Sequence, residues 1–377
     1  MKEIYLDNSA TTKPLPEVIQ KMIEALTEGY GNPSSLHNKG LEAEKYLKTA
    51  REKIAKKLGV QPDEIYFTSG GTEANNLAIK GAACHYRNRG KHLITTAVEH
   101  PSVLESFRVL EGEGFEVTYL KTDKYGLISL DELRDNITEE TILVSIIHVN
   151  NELGSVHDLE KIGRIIKEKN KNTLFHADCV QSFGKFALNP EKNLIDLLTI
   201  SGHKIHGPKG IGALYRKKGV QLKAQQVGGG QEKNLRSGTE NVPGIAGLIP
   251  ALDAFEENQL YEKLKKLRKH FLEGLEKIKR RVIVNSPPDG AAHILSISFP
   301  GIKGEVLIHS LEAEGIYLST GSACHSRSRE KSHVLKAAGL TEEQIDGTIR
   351  ISFSSFNTEE EIDYTIEMIN KKLEIFF

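Results

Sequence analysis

The sequence predicts an α/β fold, in which a mostly parallel seven-stranded sheet is sandwiched by helices and a smaller α+β domain follows. Helix and strand patterns alternate from residue 15 to about residue 250, which is typical of a parallel sheet covered on both faces. After residue 250 the alternation stops, and a long amphipathic helix precedes a few strands and a final helix. The 377 residues are enough for two such domains.

The larger domain opens with two amphipathic helix patterns. Ile19, Met22, Ile23 and Leu26 mark the apolar face of the first, and the second ends at Gly59. Short apolar runs then predict strands at 64–68, 92–96, 116–121, 141–148, 173–177, 197–200 and 212–216. Helical segments separate most of the first five strands, so crossover connections and parallel pairing are expected.

The pattern breaks between residues 219 and 241, where no apolar periodicity is present. A loop of this length in a compact enzyme is usually functional. Beyond it, a helix carrying Leu260 to Leu275, strands at 282–284, 295–299 and 348–353, and a helix from Glu359 predict the smaller domain. We expect a large domain at 12–250 and a small domain at 1–11 and 251–377, with a polar cysteine-bearing loop at about 319–333.

Composition excludes several classes of function. The net charge of −1 gives no electrostatic support for binding nucleic acid or a membrane surface. The apolar runs are too short to cross a bilayer, and the N-terminus lacks the apolar core of a signal peptide. The three cysteines, an odd number without zinc-type spacing, favour a reducing compartment and thus a cytoplasmic protein without a resident metal.

Lys204 is the most informative residue. It follows the predicted strand 197–200 and the polar run Ser201-Gly202-His203, and a Gly/Pro-rich turn comes after it. A lysine fixed at a strand end is partly desolvated, which lowers the pKa of its amine and allows it to form a Schiff base. Most lysines are instead solvated on the surface, so Lys204 alone does not decide the function.

A phosphate site is one interpretation of the segment 68–76. It follows a strand, contains Gly70, Gly71 and Thr72, and opens a helix whose free N–H groups would face an anion. An ordinary glycine turn with a helix cap is the other interpretation. The segment is neither a Walker loop nor a dinucleotide fingerprint, which disfavours a nucleotide.

Asp178 and His100 come at the ends of two further strands. At the carboxyl edge of a parallel sheet, an aspartate would keep a pyridine nitrogen protonated and so strengthen the ring as an electron sink, or it would only cap a helix. His100 would stack on a flat ligand and transfer protons, or it would be a loop residue without a role. Asn150 and Asn151, after a third strand, would offer amides to a phenolate or carboxylate.

Cys324 and Arg350 carry the remaining chemistry. Cys324 lies in a small, polar segment, and His325, Arg327 and Arg329 would favour its thiolate, so a functional interpretation is preferred to inert packing. Arg350 alternates with apolar residues on a strand, where it needs a partner. A substrate carboxylate held by two hydrogen bonds or an internal salt bridge would provide that partner.

Together these segments resemble the cysteine desulfurases (the NifS/IscS-like group), which are class V aminotransferase-family members of the fold-type I pyridoxal-phosphate enzymes. The resemblance runs nearly end to end and rests on several motifs in the same order: residues 5–12, 31–35, 68–76, 148–152, 201–204, 236–241 and 322–324. The cysteine segment is similar to that of the members with a long cysteine loop.

The resemblance implies a role for each matching residue. Lys204 would hold pyridoxal 5′-phosphate covalently, and His100 would stack on its ring and act in proton transfer. Asp178 would pair with the ring nitrogen and Gln181 with the ring hydroxyl. The groups expected at the phosphate are Gly71, Thr72, Ser201, His203 and, from the second subunit of a homodimer, Thr239. The residues expected at the substrate carboxylate are Asn151, Arg350 and Asn32.

The implied activity is removal of sulfur from L-cysteine, giving L-alanine and a persulfide on Cys324. The sulfur would pass to an acceptor protein for iron–sulfur cluster assembly or thiolation, with Cys324 as a transient cluster ligand beside a scaffold. Selenocysteine lyase, another class V enzyme, and a sulfur-carrier partner without turnover are the alternatives. The charged residues after Cys324, among them Arg327 and Arg329, depart from the family's small polar loop and affect the expected choice of acceptor.

Overall fold

The computed structural model describes residues 3–254, 257–321 and 331–375. Its strands are β1 Ile4–Tyr5, β2 Ile65–Thr68, β3 His92–Thr96, β4 Glu116–Leu120, β5 Thr141–Ile147, β6 Leu174–Asp178, β7 Leu197–Ser201, β8 Gly212–Arg216, β9 Ile283–Val284, β10 Ile294–Ser298, β11 Ile316–Tyr317 and β12 Thr348–Ser352. Its α-helices are α1 Pro16–Thr27, α2 Asn38–Leu58, α3 Gly71–Tyr86, α4 Pro101–Gly112, α5 Leu130–Asn136, α6 Leu159–Lys169, α7 Val242–Asp253, α8 Glu257–Leu275, α9 Gly304–Glu312, α10 His333–Ala337, α11 Glu342–Asp346 and α12 Glu359–Ile375.

The main sheet has seven strands in the order β2-β8-β7-β6-β5-β3-β4. The neighbours from β7 to β4 are parallel, and β8 pairs antiparallel with both β2 and β7. The predicted α/β class and mostly parallel sheet are therefore confirmed, and each of the seven predicted strands lies within one residue of its observed bounds at either end.

Two apolar layers cover the faces of this sheet. One cluster joins side chains of α1, α2, α6 and α7 to one face, with Ile54, Ile166 and Ile245 fully buried. The other joins α3 and α4 to the opposite face, with Leu77 and Phe107 buried. Burial on both faces explains why the central strands are continuous apolar runs rather than alternating ones.

A second, smaller core lies outside the main sheet. Strands β12, β10 and β9 form a three-stranded antiparallel sheet, and α8, α9 and α12 pack on it around Phe271, Leu307 and Ile369. The N-terminus joins this part, because β1 pairs parallel with β11 and Asp7 bridges to Ser352. We propose the division predicted from the sequence, with residues 12–250 as the large domain and 1–11 and 251–377 as the small one.

Strand direction determines where functional side chains meet. Strands β2, β3, β5, β6 and β7 run the same way, so their carboxyl ends lie along one edge of the sheet. The segments that leave this edge carry Gly71, His100, Asn151, Asp178 and Lys204. Ligands of open α/β sheets bind at this edge, so a ligand site is expected here.

Candidate active site

Lys204 ends a short 3₁₀ turn, Gly202–Lys204, that follows β7 directly. Its side chain is 9% exposed, and Nζ donates to the carbonyl oxygen of Ser9 and, at 2.7 Å, to that of Ala10. The N-terminal segment thus reaches across from the smaller core to contact this lysine. The prediction of a fixed and shielded strand-end lysine is matched by its geometry.

A cavity of about 230 Å³ opens in front of Lys204. The sequence-predicted residues that line it are Gly71, Thr72, His100, Asn151, Asp178, Gln181, Ser201, His203, Lys204 and Arg350. These ten come from six separate segments of the chain, and the shared edge of the sheet brings most of them together.

Asp178 is held by hydrogen bonds to both carboxylate oxygens. Oδ2 accepts from Asn75 Nδ2 at 2.8 Å, and Oδ1 accepts from the amide of Val180 at 3.0 Å. The side chain is 3% exposed, so its orientation toward the cavity is fixed by these two donors rather than by water.

His100 continues the network that begins at Asp178. Asn75 Nδ2 also donates to Ser102 Oγ at 2.9 Å, and Ser102 Oγ lies 2.8 Å from His100 Nδ1. The amide of Ser102 donates to the same Nδ1 at 3.2 Å. Since Nδ1 accepts these bonds, the neutral imidazole carries its proton on Nε2.

Ser201 and His203 lie beside the start of α3 and suit an anion. Ser201 Oγ is buried and has no hydrogen-bond partner in the described part of the chain, so it has a donor to offer. Burial, and secondarily the positive charge of Lys204, lower the pKa of His203 to about 3, so its ring is neutral near pH 7. A Cβ on Gly71 would lie 2.7 Å from Val180 Cγ2, which explains the glycine at the first residue of the helix.

Arg350 is 2% exposed and ion-paired. Its Nη2 donates to Asp7 Oδ1 at 2.8 Å, and its Nη1 donates to the carbonyl oxygens of Asn151 at 2.9 Å and of Gly321 at 2.5 Å. Among the described residues, three of its five N–H donors are therefore used internally, and Nε is buried without a partner. The internal salt bridge, one of the two kinds of partner that the sequence allows for Arg350, is present. It leaves N–H donors of Arg350 for a further carboxylate.

Two of the remaining predicted residues do not line this cavity, and the third falls outside the described part of the chain. Asn32 is exposed, and its Oδ1 accepts from the amide of Ser34 at 2.9 Å. Thr239 is also exposed and lines a separate depression with Glu232 and Arg236. Cys324 lies outside the described residues, within 322–330. The roles of all three remain predictions.

The structure adds four residues to which the sequence assigned no role. Asn75 links Asp178 to Ser102, Asp7 pairs with Arg350, and the Ser9 carbonyl accepts from both Lys204 and Gln181. Glu99 is completely buried beside His100, and burial raises the pKa of its carboxyl to about 8. Three of the four lie inside motifs that carry the resemblance, but their partners are distant in sequence and could not be read from it.

The family model for aminotransferase class V matches residues 4–365. A curated cysteine desulfurase IscS of Methanosarcina thermophila is 47% identical over 370 residues, covering 98% of this chain and 91% of the relative. The chain belongs to the cysteine desulfurases. A solved structure of a NifS-like protein superposes with a TM-score of 0.93 at 41% identity, covering 99% of this chain and all of that one. A structure of SspA in complex with cysteine has a TM-score of 0.84 at 36% identity, covering 95% and 100%.

As a cysteine desulfurase, the chain is a sulfurtransferase that depends on pyridoxal 5′-phosphate. The family, fold class, activity and cofactor expected from the sequence are thereby confirmed. Within residues 3–254, 257–321 and 331–375, no cluster of His, Cys, Asp and Glu suits a metal ion. No helix in the same residues has the length and apolarity needed to cross a bilayer.

Proposed function

We propose that this desulfurase takes sulfur from L-cysteine with Lys204 as its cofactor lysine and Cys324 as the first sulfur acceptor. The observation that carries the proposal is the convergence of Lys204, Asp178, His100 and Arg350 on one cavity. Lys204 supplies an amine, Asp178 an anion, His100 a neutral proton donor and Arg350 a cation. An amino-acid substrate and a pyridine cofactor require these chemical groups.

The cavity fits pyridoxal phosphate. The amides at the start of α3 with Gly71 and Thr72, together with the unpaired hydroxyl of Ser201 and the neutral ring of His203, would hold a phosphate. Asp178 would hold a proton on the pyridine nitrogen, and Gln181 would face the ring hydroxyl. When bound, the cofactor stores the electron pair released at the substrate α-carbon.

Arg350 and Asn151 would bind the carboxylate of L-cysteine. Both line the cavity, and Arg350 still has the N–H donors that Asp7, Asn151 and Gly321 do not use. A guanidinium fixed by internal bonds loses little side-chain entropy when it donates to a substrate carboxylate. Asn32 remains a proposed substrate contact, and its exposed position suits a site completed by a second subunit.

Proton transfer would involve Lys204 and His100. Lys204 Nζ, once released from the cofactor, would take the α-proton of the substrate, since a buried amine held at the strand end is already in place. His100 would donate from Nε2, because Nδ1 is occupied as an acceptor by Ser102. The buried environment would keep water from competing for these protons.

Cys324 would complete the reaction as a nucleophile. Its thiolate attacks the substrate sulfur, forming an S–S bond while the C–S bond breaks, and the electron pair stays with the carbon fragment. After protonation that fragment leaves as L-alanine, and Cys324 keeps the sulfur as a persulfide. An acceptor protein of iron–sulfur assembly or thiolation would then take the sulfur by a second thiolate attack.

A second subunit of a homodimer would complete the active site. Thr239 lies on an exposed loop away from the cavity of its own subunit, which suits a contact to the phosphate of the partner's cofactor. The region from α1 to α2 exposes six large apolar side chains that an interface would cover: Ile19, Ile23, Leu26, Tyr30, Leu36 and Leu41.

A mixture of Lys204→Ala and Thr239→Ala subunits should recover about a quarter of native activity, since hybrid dimers hold one intact site. No recovery would contradict a shared site.

An anaerobic assay tests the chemistry. Purified protein with bound cofactor is given L-cysteine, alanine is measured, and mass spectrometry locates added sulfur. We expect alanine and a persulfide on Cys324 from the native protein, and neither from Lys204→Ala or Cys324→Ala. Cys84→Ala is the matched control, because Cys84 lies on α3 outside the cavity. Alanine formation that survives Cys324→Ala would instead indicate a lyase that releases sulfide directly.

A further inference from the structure

Lys185 contacts the main chain of Lys204, the residue proposed to carry the cofactor. Its Nζ donates to the carbonyl oxygen of Lys204 at 2.9 Å. Lys185 lies in the turn that follows β6, where its own amide donates to Ser182 O at 3.0 Å. The end of β6 is thereby joined to the short turn Gly202–Lys204, which follows the neighbouring strand β7.

Two carbonyl groups of the turn Gly202–Lys204 are held from other parts of the chain. The carbonyl oxygen of His203 accepts from Thr12, through its amide at 3.0 Å and its hydroxyl at 2.9 Å. The carbonyl oxygen of Lys204 accepts from the ammonium of Lys185, and a charged donor makes a stronger hydrogen bond than a neutral one. Lys185 therefore anchors the residue of the turn whose amine has to be placed.

A second cavity, of about 20 Å³, lies beside Lys204. Among the described residues, Lys204 is the one that lines both this cavity and the active-site cavity. Lys185, His206 and His293 line the second cavity, and no Asp or Glu of the described ranges does. A cavity of this size has room for about one water molecule, so the ammonium of Lys185 is surrounded mainly by protein.

Lys185 carries a positive charge without an acidic partner in the part of the chain that the structure describes. The residue is half-buried, and burial of its amine lowers its pKa to about 8, with no nearby charge opposing that shift. The amine is therefore mostly protonated at pH 7. A buried cation without a partner costs free energy, and perturbed groups of this kind are concentrated at functional sites.

The charge of Lys185 reaches three histidines around Lys204. Burial lowers the pKa values of His203, His206 and His293. The charge of Lys185 lowers each of the three further. Because His203 lines the active-site cavity, the electrostatic effect of Lys185 extends to the side on which the cofactor is proposed to bind.

The amine of Lys204 is under two opposing influences. The carbonyl oxygens of Ser9 and Ala10 accept from Nζ and favour its protonated form. The ammonium of Lys185 disfavours that form, because it is bound to the carbonyl group of the same residue. A unit charge about 10 Å away in a protein interior shifts an acid–base equilibrium by about one pH unit. Schiff-base formation and proton uptake both require the unprotonated amine.

We propose that Lys185 is a positioning residue for Lys204, which anchors the carbonyl group of that residue and places a fixed positive charge near its amine. The hydrogen bond holds the amine at the cavity, and the charge keeps the amine unprotonated for bond formation and for proton uptake. The inference rests on the proposed function of Lys204 as the cofactor lysine, and it adds a residue of the second cavity to that function.

The test compares three replacements of Lys185 in the full-length enzyme. Lys185→Arg keeps the charge and the donors, Lys185→Gln keeps a donor without the charge, and Lys185→Met removes both at similar length. Lys209→Met is the matched control, because Lys209 is exposed and its charge also lowers the pKa of His203. All four variants keep the other titratable and charged groups that line the two cavities: His100, Glu152, Asp178, His203, His206, His293 and Arg350.

Two measurements use the cofactor-free protein, and a third uses the holoenzyme. The rate at which pyridoxal 5′-phosphate forms a Schiff base with the cofactor-free protein is measured from pH 6 to 10, and the midpoint of this profile reports the protonation of Lys204. Hydrogen exchange at residues 202–207 reports the anchoring of the turn. Alanine formation by the holoenzyme gives kcat and KM for L-cysteine.

We expect Lys185→Met to raise the midpoint by about one pH unit, to speed exchange at 202–207, and to lower kcat about 10-fold with KM changed less than about twofold. Lys185→Gln should raise the midpoint equally with native exchange, and Lys185→Arg and Lys209→Met should match the native protein. In urea, Lys185→Met should be at least as stable as the native protein, because it removes an unpaired buried cation. If it does not fold, the comparison of Gln with Arg carries the test.

Native midpoints in both Lys185→Met and Lys185→Gln would overturn the inference and leave the proposed function intact. Native exchange at 202–207 in Lys185→Met would also overturn it, because the turn would then be anchored without Lys185. An equal shift in Lys209→Met would do the same, since the midpoint would then report only the overall charge. A Schiff base that still forms in Lys204→Ala would instead refute the proposed function of Lys204 itself.

Discussion

Asp7 and Arg350, 343 residues apart in sequence, form a partly buried ion pair with 2.8 Å between Oδ1 and Nη2. The pair joins the N-terminal segment to the central part of β12 at the rim of the cavity. Arg350 is 2% exposed, so little water is available to replace its partner, whereas Asp7 is 19% exposed and partly solvated. The Asp7 carboxylate therefore supplies most of the negative charge that the buried Arg350 guanidinium needs. The carboxylate of the substrate is proposed to bind the same guanidinium.

Replacing Asp7 with Asn should destabilise the protein by about 1–3 kcal/mol. The range is below that for breaking a fully buried pair, because Asp7 is partly solvated and Asn keeps an acceptor oxygen. Urea unfolding monitored by circular dichroism measures the change. Asp253→Asn is the control, since its pair with Lys53 is exposed and should contribute little. Equal unfolding midpoints for Asp7→Asn and native would contradict the prediction.

Glu99 should make the protein less stable as the pH rises. Burial, and secondarily the charge of Asp178, raise its pKa to about 8, while the unfolded value is near 4.5. The folded state thus binds the extra proton between these values, and stability falls with rising pH by up to about 1.4 kcal/mol per unit. Glu99→Gln, which stays neutral, should lose this slope. Unfolding free energies of the native protein and of Glu99→Gln at pH 6 to 9 test this slope. Parallel curves of unfolding free energy against pH would contradict a raised pKa for Glu99.

Buried histidines should make the protein sensitive to acid. Burial lowers the pKa of His148 to about 3, that of His157 to about 4 and that of His176 to about 3. The unfolded chain takes up protons first, so stability is lost as the pH falls from about 6.5 toward 4. His148→Leu should reduce this slope, by up to about 1.4 kcal/mol per pH unit. The exposed His309 provides the comparison, and a His309→Gln variant should show the native slope.

Glu232 should be essential to the loop that carries Thr239. Glu232, Lys233 and Asn234 have φ values of 45°, 56° and 64°, a left-handed turn without glycine. The Glu232 carboxylate compensates by binding Arg51 Nη2 at 2.7 Å and the amide of Phe67 at 2.9 Å. Glu232→Ala should cost about 3–5 kcal/mol and increase hydrogen exchange at 227–241.

Lys233→Gly tests the same turn by relieving its backbone strain instead of removing the carboxylate. It keeps the Glu232 carboxylate and relieves a left-handed residue, so the free energy of unfolding should rise or stay equal. A loss of stability as large as that of Glu232→Ala would show that the Lys233 side chain, whose Nζ donates to the Asp63 carbonyl at 3.1 Å and lies over the Tyr66 ring, holds the turn as much as the carboxylate does.

Asn75 should support catalysis through its neighbours. Its Nδ2 donates to Asp178 and to Ser102, so Asn75→Ala should lower kcat for alanine formation about 10- to 100-fold with little change in KM. Asn76→Ala is the matched control, because in the part of the chain that the structure describes Asn76 Nδ2 donates only to the Thr72 carbonyl of its own helix. Similar kcat values for the two variants would contradict a positioning role for Asn75.

The sequence predicted the fold well because strand signals in this chain are local. The strands around Val144, Phe175 and Leu198 are buried on both faces, so each is a compact apolar run with clear ends. Residues immediately after such runs, including Asp178 and Lys204, are placed by strand direction alone, and they line the cavity as expected. Asn32 and Thr239 lie on exposed loops away from it, where no local pattern specifies a partner.

By itself, the sequence determined the parallel sheet, the edge at which ligands bind and the chemical groups presented there, since apolar periodicity and strand-end position are properties of neighbouring residues. Only the tertiary structure decided which distant groups hold those residues in place. The contacts of Asp7 with Arg350, Asn75 with Asp178 and Glu152 with Ser332 depend on how separate segments pack. Hydrogen bonds of this kind act over about 3 Å and leave no periodic trace in sequence.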